Sequence, residues 1–256
     1  MEKKIKYRNM YSKALNREVS IGIIAGENYQ HILILLHGYQ SGAEDISEKM
    51  NLYQIAVSYH CMIVIPNLDN GYYINHVNYD VSGYLGEELP DYIRENFDQS
   101  EKCDFLLAGI SMGGYGALLQ INKNNPYRVI VPISGAFIAH DVVIGNPEVV
   151  GQSFGLQTEY FLNTFAPIET LDCDADRNPV QAIQDERVSR KKVKVYLTCG
   201  TADLLYSRNR EVCELLKKKN MEYVFLEIEQ GEHNYLCFEK GLIGALSLVK
   251  TDDISL

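Results

Sequence analysis

A length of 256 residues, 46% of them hydrophobic and 23% charged, is globular composition with room for one sizeable core. A formal charge of −10 argues against nucleic acid and anionic membranes as partners, because both demand a basic face. No stretch approaches the roughly 18 uninterrupted apolar residues of a membrane helix, and the basic N-terminus lacks the apolar run of a signal peptide, so a cytoplasmic protein is expected.

In chain order, Ser20–Ala25 reads as an antiparallel strand, His31–Leu36 as a short buried strand and Ile46–Val57 as a helical period. Met62–Pro66 is the next strand, and Tyr84–Phe97 a helix with Glu and Pro near its start. Asp104–Gly109 reads as a strand that runs into a helix over Gly113–Asn124. Val129–Ile133 and Val193–Cys199 continue the strands, with Glu222–Glu227 a candidate for one more. Asn209–Lys219 and Leu236–Leu248 carry helical spacing.

Brief, often β-branched strands alternating with helices imply a mostly parallel sheet covered on both faces. No repeat, low-complexity tract or Pro/Gly-rich linker interrupts the chain, so 1–256 is expected to be a single α/β domain. The stretch Ala136–Glu186 breaks the rhythm and is expected to be an irregular insertion over one end of the sheet. Within it, Tyr160-Phe161-Leu162 and Phe165 form an apolar cluster that would either pack on the core or line a pocket.

The cysteines, at positions 61, 103, 173, 199, 213 and 237, lie scattered with no metal-like spacing and read as reduced thiols. The basic clusters Arg190–Lys194 and Lys217–Lys219 read as a strand flank and the solvated end of a helix.

The sharpest signal is Gly109-Ile-Ser111-Met-Gly113, placed where a buried strand turns into a helix. There the serine is held in a strained turn that pushes its hydroxyl out of the sheet, and the two glycines clear room for it. An alkyl hydroxyl needs a neighbouring base, and the base needs an orienting acid; on such an elbow they follow the serine as acid and then histidine. Downstream of Ser111 stand only His140 and His233, and His140 precedes every plausible acid, which favours His233. Asp203 follows the preceding strand and is the favoured acid, with Asp172, Asp174 and Asp176 as rivals.

A second strand, Ile32–Leu36, ends in His37-Gly38-Tyr39. Gly38 would let the backbone turn so that the Tyr39 amide points into the site beside the Met112 amide, forming an oxyanion hole. His37 reads as structural. Gly38 and the Tyr72-Tyr73 pair are candidates for contact with substrate. No metal or cofactor is called for.

These motifs resemble the putative-esterase family of α/β hydrolases, which includes tributyrin esterases, S-formylglutathione hydrolases and feruloyl and acetylxylan esterases. The resemblance runs along nearly the whole chain, through Leu35–Gly38, Tyr84–Ile93, Gly109–Ala117, Cys199–Tyr206 and Gly231–His233, and looks closest to the tributyrin esterase branch. It implies the α/β-hydrolase fold, a Ser111–His233–Asp203 triad, the Tyr39 and Met112 amides as oxyanion donors, and a small-molecule ester with a short acyl chain. The same triad would serve a thioesterase or a feruloyl esterase, while its intact state speaks against a non-enzymatic binder. A homo-oligomer is left open. Family members often carry a tryptophan in the loop after His-Gly; this chain has none, and Ile46 stands near that place.

Overall fold

Runs such as His31–Leu36 and Cys61–Pro66 contain almost no polar side chain, so they cannot alternate between core and water and must be covered on both faces. The computed structural model describes residues 5–26, 28–98, 100–150, 157–187 and 193–251. Its strands are β1 (Lys6–Ser12), β2 (Arg17–Ala25), β3 (His31–Leu36), β4 (Cys61–Pro66), β5 (Asp104–Ile110), β6 (Val129–Ile133), β7 (Lys194–Gly200) and β8 (Tyr223–Ile228). They form an eight-stranded sheet in the order β1-β2-β4-β3-β5-β6-β7-β8. β2 runs antiparallel to β1 and β4, and from β4 through β8 every pairing is parallel.

The helices are α1 (Ala43–Lys49), α2 (Leu52–Ser58), α3 (Val81–Gly83), α4 (Leu89–Asn96), α5 (Met112–Leu119), α6 (Ala139–Val143), α7 (Pro147–Val150), α8 (Thr158–Thr164), α9 (Pro179–Gln184), α10 (Tyr206–Lys218) and α11 (Tyr235–Thr251). The period of two along each strand divides the apolar side chains between two layers. Ile32, Ile34, Leu107 and Ile130 face a cluster with Tyr115 and Leu118 of α5 and Leu216 of α10. Leu33, Leu35, Ile63 and Ala108 face the other, with Ile46 of α1, Ile55 of α2 and Leu242 of α11. This is the α/β-hydrolase fold.

Some boundaries differ from the sequence reading, each for a local reason. β1 has no apolar period because its burial is mostly one of exposed positions on an edge strand. The single helix expected over Ile46–Val57 is two, since Met50 turns extended and the Asn51 side chain accepts from the Gln54 amide to start α2. The helix expected from Tyr84 begins at Val81, capped by Asp80, and passes through a wide π turn over Tyr84–Glu88. Pro90 lies just beyond that turn and has no N–H to offer the Gly86 carbonyl, which is where the helix widens.

The stretch 136–186 holds short helices, α6 to α9, and a 3₁₀ segment over Ile168–Cys173. Each is too brief to show a period. Phe161 and Phe165 are fully buried, and Phe165 lies 4.8 Å from the Tyr72 ring and 5.8 Å from that of Tyr115, so both phenylalanines belong to the core. Leu162 is 44% exposed.

Lys217 and Lys218 close the last turn of α10. Of the other basic cluster, Arg190–Lys192 lie outside the described residues, and Lys194 begins β7 with its ammonium 5.2 Å from the centre of the Tyr196 ring. None of the six cysteines, all of them described, forms a disulfide. Among the described residues, no helix is long and apolar enough to cross a membrane.

Candidate active site

β5 ends at Ile110 and α5 begins at Met112, so Ser111 alone must reverse the chain, and it does so at φ 54° and ψ −112°. That conformation strains any residue with a Cβ and projects the side chain beyond the sheet edge. The neighbouring glycines are steric requirements: a Cβ on Gly109 would lie 2.0 Å from the Gly113 carbonyl oxygen, and one on Gly113 would lie 2.3 Å from that of Leu36. Ser111 stays tied to the sheet by its own N–H to Ile133 O (2.9 Å) and by Ala136 N–H to its carbonyl (3.0 Å).

His233 and Asp203 come to Ser111 from loops after β8 and β7. His233 Nε2 is 3.0 Å from Ser111 Oγ and its Nδ1 is 2.9 Å from Asp203 Oδ2. A carboxylate can only accept, so Nδ1 carries the ring proton and Nε2 is left to accept from the serine hydroxyl. The Asp203 side chain is wholly covered, and its Oδ1 accepts from the Leu205 amide at 2.8 Å. Burial alone would push this carboxyl up, but the His233 hydrogen bond and charge, with the Leu205 amide, hold it below the usual carboxylate range. Phe238 stands edge-on to the His233 ring at 4.9 Å and limits its rotation.

Across the site, β3 delivers His37, Gly38 and Tyr39. A Cβ on Gly38 would sit 3.6 Å from the Ser111 Cβ, so this backbone passes directly beside the serine. Contacts that close are ordinary, so the protein itself does not demand glycine there; a side chain would instead take space over the hydroxyl. The Gln40 amide goes to Asn70 Oδ1 (2.7 Å) and the Ser41 amide to Gly38 O (3.3 Å). Tyr39 N–H has no such acceptor among the described residues, and Met112 is the first residue of α5, where an amide lacks an intrahelical partner.

His37 is buried, with Nδ1 2.7 Å from Gly38 O and Nε2 between the Leu68 carbonyl (2.9 Å) and the Leu68 amide (3.1 Å). Burial lowers its pKa against the opposing pull of the Gly38 and Leu68 carbonyls, which favours a neutral ring and a structural role. Tyr73 donates its hydroxyl to the His37 carbonyl at 2.9 Å from beneath. Tyr72 and Tyr73, singled out above as candidates for substrate contact, are only 4% and 2% exposed and lie in the core instead. The aromatic side chain that does meet Tyr39 is Tyr160, edge-on at 5.0 Å, with its hydroxyl donated to Asn70 O.

The other sequence candidates are engaged elsewhere. His140 is exposed and pairs with Asp172 at 2.8 Å. Asp174 holds Arg177 at 2.7 Å, and Asp176 holds Lys123 and Arg187. Sequence reasoning passed over Asn209, a fully buried residue of α10. Its amide donates to Gly135 O and Leu205 O, both at 2.9 Å, and accepts from Gly135 N–H, tying the loop under Ser111 to the loop of Asp203. Nothing in the sequence marks it, because one asparagine inside a helical period resembles any surface residue. Among the described residues, no group of three or more His, Cys, Asp or Glu side chains gathers as a metal site.

Known proteins resemble this chain along most of its length. An acetyl esterase of Caldicellulosiruptor saccharolyticus is 27% identical over 259 residues, covering 93% of this chain and 94% of that protein. An S-formylglutathione hydrolase from Staphylococcus aureus superposes with a TM-score of 0.80 at 20% identity, covering 96% of this chain and 98% of the other. A ferulic acid esterase gives 0.73, also at 20% identity, over 97% and 98%. The model of the family described as Putative esterase matches residues 12–248, and the chain therefore belongs to that family of carboxylic ester hydrolases.

Proposed function

We propose that the protein hydrolyses small-molecule esters with short acyl chains, acetyl to butyryl, using Ser111 as nucleophile, His233 as base and Asp203 as the orienting acid. The observation that carries this reading is the position of His233, whose two ring nitrogens reach Ser111 and Asp203 from opposite sides. His233 takes the Ser111 proton as Oγ bonds to the ester carbonyl carbon, and the carbonyl electrons move onto its oxygen. The Tyr39 and Met112 amides donate to that oxyanion, and Asp203 balances the charge on the imidazolium. The imidazolium proton then passes to the leaving alkoxide, and water repeats the cycle on the acyl-enzyme. The acetyl esterase relative supports the short acyl chain. Six cysteines without a disulfide suit a reducing compartment, which supports a cytoplasmic location.

The test is a series of p-nitrophenyl esters from acetyl to octanoyl, run beside acetylated sugars, feruloyl esters and matched thioesters. We expect kcat/KM to fall roughly tenfold or more from butyryl to octanoyl, since a fitted site gains or loses about 1–3 kcal/mol per methylene. A rate that keeps rising with chain length would overturn the short-chain reading, and thioesters outrunning their oxygen counterparts would move the assignment to a thioesterase.

A second expectation concerns pH. Because the Asp203 carboxyl is held below the usual carboxylate range, it stays ionised while the base titrates. The acid limb of log kcat/KM against pH should therefore have a slope of about one. A slope near two would show that the acid titrates together with the base.

A further inference from the structure

β3 and β8 are not neighbours in the sheet; β5, β6 and β7 stand between them. No strand ladder therefore fixes the loop carrying His233 against the loop carrying Tyr39. A polar contact outside the triad joins them. Tyr235, just beyond His233, donates its hydroxyl to Asp45 Oδ2 at 2.5 Å, and Ser41, just beyond Tyr39, donates to the same oxygen at 2.7 Å. The two hydroxyl oxygens are 2.9 Å apart. The other carboxylate oxygen of Asp45 receives the Lys49 ammonium at 2.5 Å, and that ammonium also lies 4.8 Å from the centre of the Tyr235 ring.

Each end of this contact leads to a reacting group. The Tyr235 ring packs edge-on against Phe238 at 5.6 Å, and Phe238 is the ring that stands against His233. At the other end the Ser41 amide closes the turn on Gly38 O that has Tyr39 at its centre. Lys49 is one helical turn from Asp45, and a pair on α1 alone would account for that ion pair. It would not account for the Tyr235 hydroxyl, brought from the far end of the chain, converging on the same carboxylate oxygen as that of Ser41.

We propose that Asp45 is a positioning residue, with Tyr235 and Ser41 as its two ties, that sets the distance between the base and the Tyr39 oxyanion amide. The inference rests on the roles given above to Ser111, His233 and Tyr39. Geometry of this kind affects the transition state more than the bound ester, because small misplacements of catalytic groups are costly to rate.

The experiment measures kcat, KM and Tm with p-nitrophenyl acetate for the wild type, Ser111→Ala, Tyr235→Phe, Asp45→Ala, Asp45→Asn and the Tyr235→Phe/Asp45→Ala double variant. Tyr235→Phe removes one hydroxyl and keeps the ring, so its kcat is expected to fall about tenfold with KM within about twofold and Tm nearly unchanged. Asp45→Ala should fall at least as far, Asp45→Asn should recover most of the rate because its amide oxygen still accepts both hydroxyls, and the double variant should be no worse than Asp45→Ala. A rise in KM alone, or losses that merely follow Tm, would overturn the positioning role. Inactive Ser111→Ala beside Tyr235→Phe and Asp45→Ala at wild-type kcat would overturn this inference and leave the triad standing. Activity surviving in Ser111→Ala would overturn both.

Discussion

Ser111→Ala is expected to lower kcat by roughly 10⁴-fold or more while leaving the melting temperature unchanged or higher. The hydroxyl is the only part of the residue that faces His233, at 3.0 Å, whereas the contacts that hold the elbow are made by its backbone to Ile133 and Ala136. Removing the hydroxyl therefore removes the chemistry and spares the fold. His233→Ala should be as damaging, because a serine hydroxyl without a base is a weak nucleophile. The double variant should be no worse than either single one, since nucleophile and base act as a unit. Labelling by a fluorophosphonate should be lost in Ser111→Ala and strongly slowed in His233→Ala. If Ser111→Ala kept more than a tenth of wild-type esterase activity, the nucleophile would have to be sought elsewhere.

Phe165→Ala is expected to cost about 3–5 kcal/mol of stability, since it empties a ring-sized volume in a close-packed core. For a protein of this size each kcal/mol moves Tm by roughly 2–4 °C, so the melting point should drop by about 6–20 °C. Phe165 is fully buried between Tyr72 and Tyr115, away from solvent, so surviving folded enzyme should treat acetyl and butyryl esters in the wild-type ratio. The measurement is Tm together with that ratio of kcat/KM. A changed ratio at an unchanged Tm would place the ring in the acyl pocket.

Much of this architecture is legible in the chain because parallel strands buried on both faces leave uninterrupted apolar runs, as at His31–Leu36 and Asp104–Ile110. β1 leaves no such mark, since an edge strand with mostly exposed positions looks like loop. The break between α1 and α2 was hidden because apolar residues continue across it, although Asn51, a favoured helix cap, was the available sign.

At the candidate site, spacing and context single out Ser111, and chain order with a Gly-containing loop after the last strand singles out His233; the structure brings the two within 3.0 Å of each other. Asp203 was harder to separate from Asp172, Asp174 and Asp176, because what distinguishes them is the partner each one meets: His140, Arg177 and Lys123 occupy the rivals. Tyr72 and Tyr73 show the opposite failure. Residue type says nothing about which side of a loop faces solvent, and both rings turn inward. Asn209 and Asp45 carry no mark in the sequence because each joins a local partner to one from a distant segment, Gly135 and Tyr235 respectively.

The order of the sheet also has a bearing on when the molecule becomes an enzyme. The groups around Ser111 reside on loops after β3, β5, β7 and β8, and β8 lies at the outer edge, where β7 is its only neighbour among the described strands. During synthesis from the N-terminus the serine emerges long before its histidine, which can be brought into place only after the far edge of the sheet has zipped up. A chain not yet extended to His233 is thus expected to carry the serine without its base, whatever portion of the central strands has already condensed. In the finished protein β8, like β1 at the opposite end, is paired on one side only among the described strands, and such strands are expected to open before those paired on both. A triad spread over these loops is expected to work only once the sheet from β3 through β8 is paired.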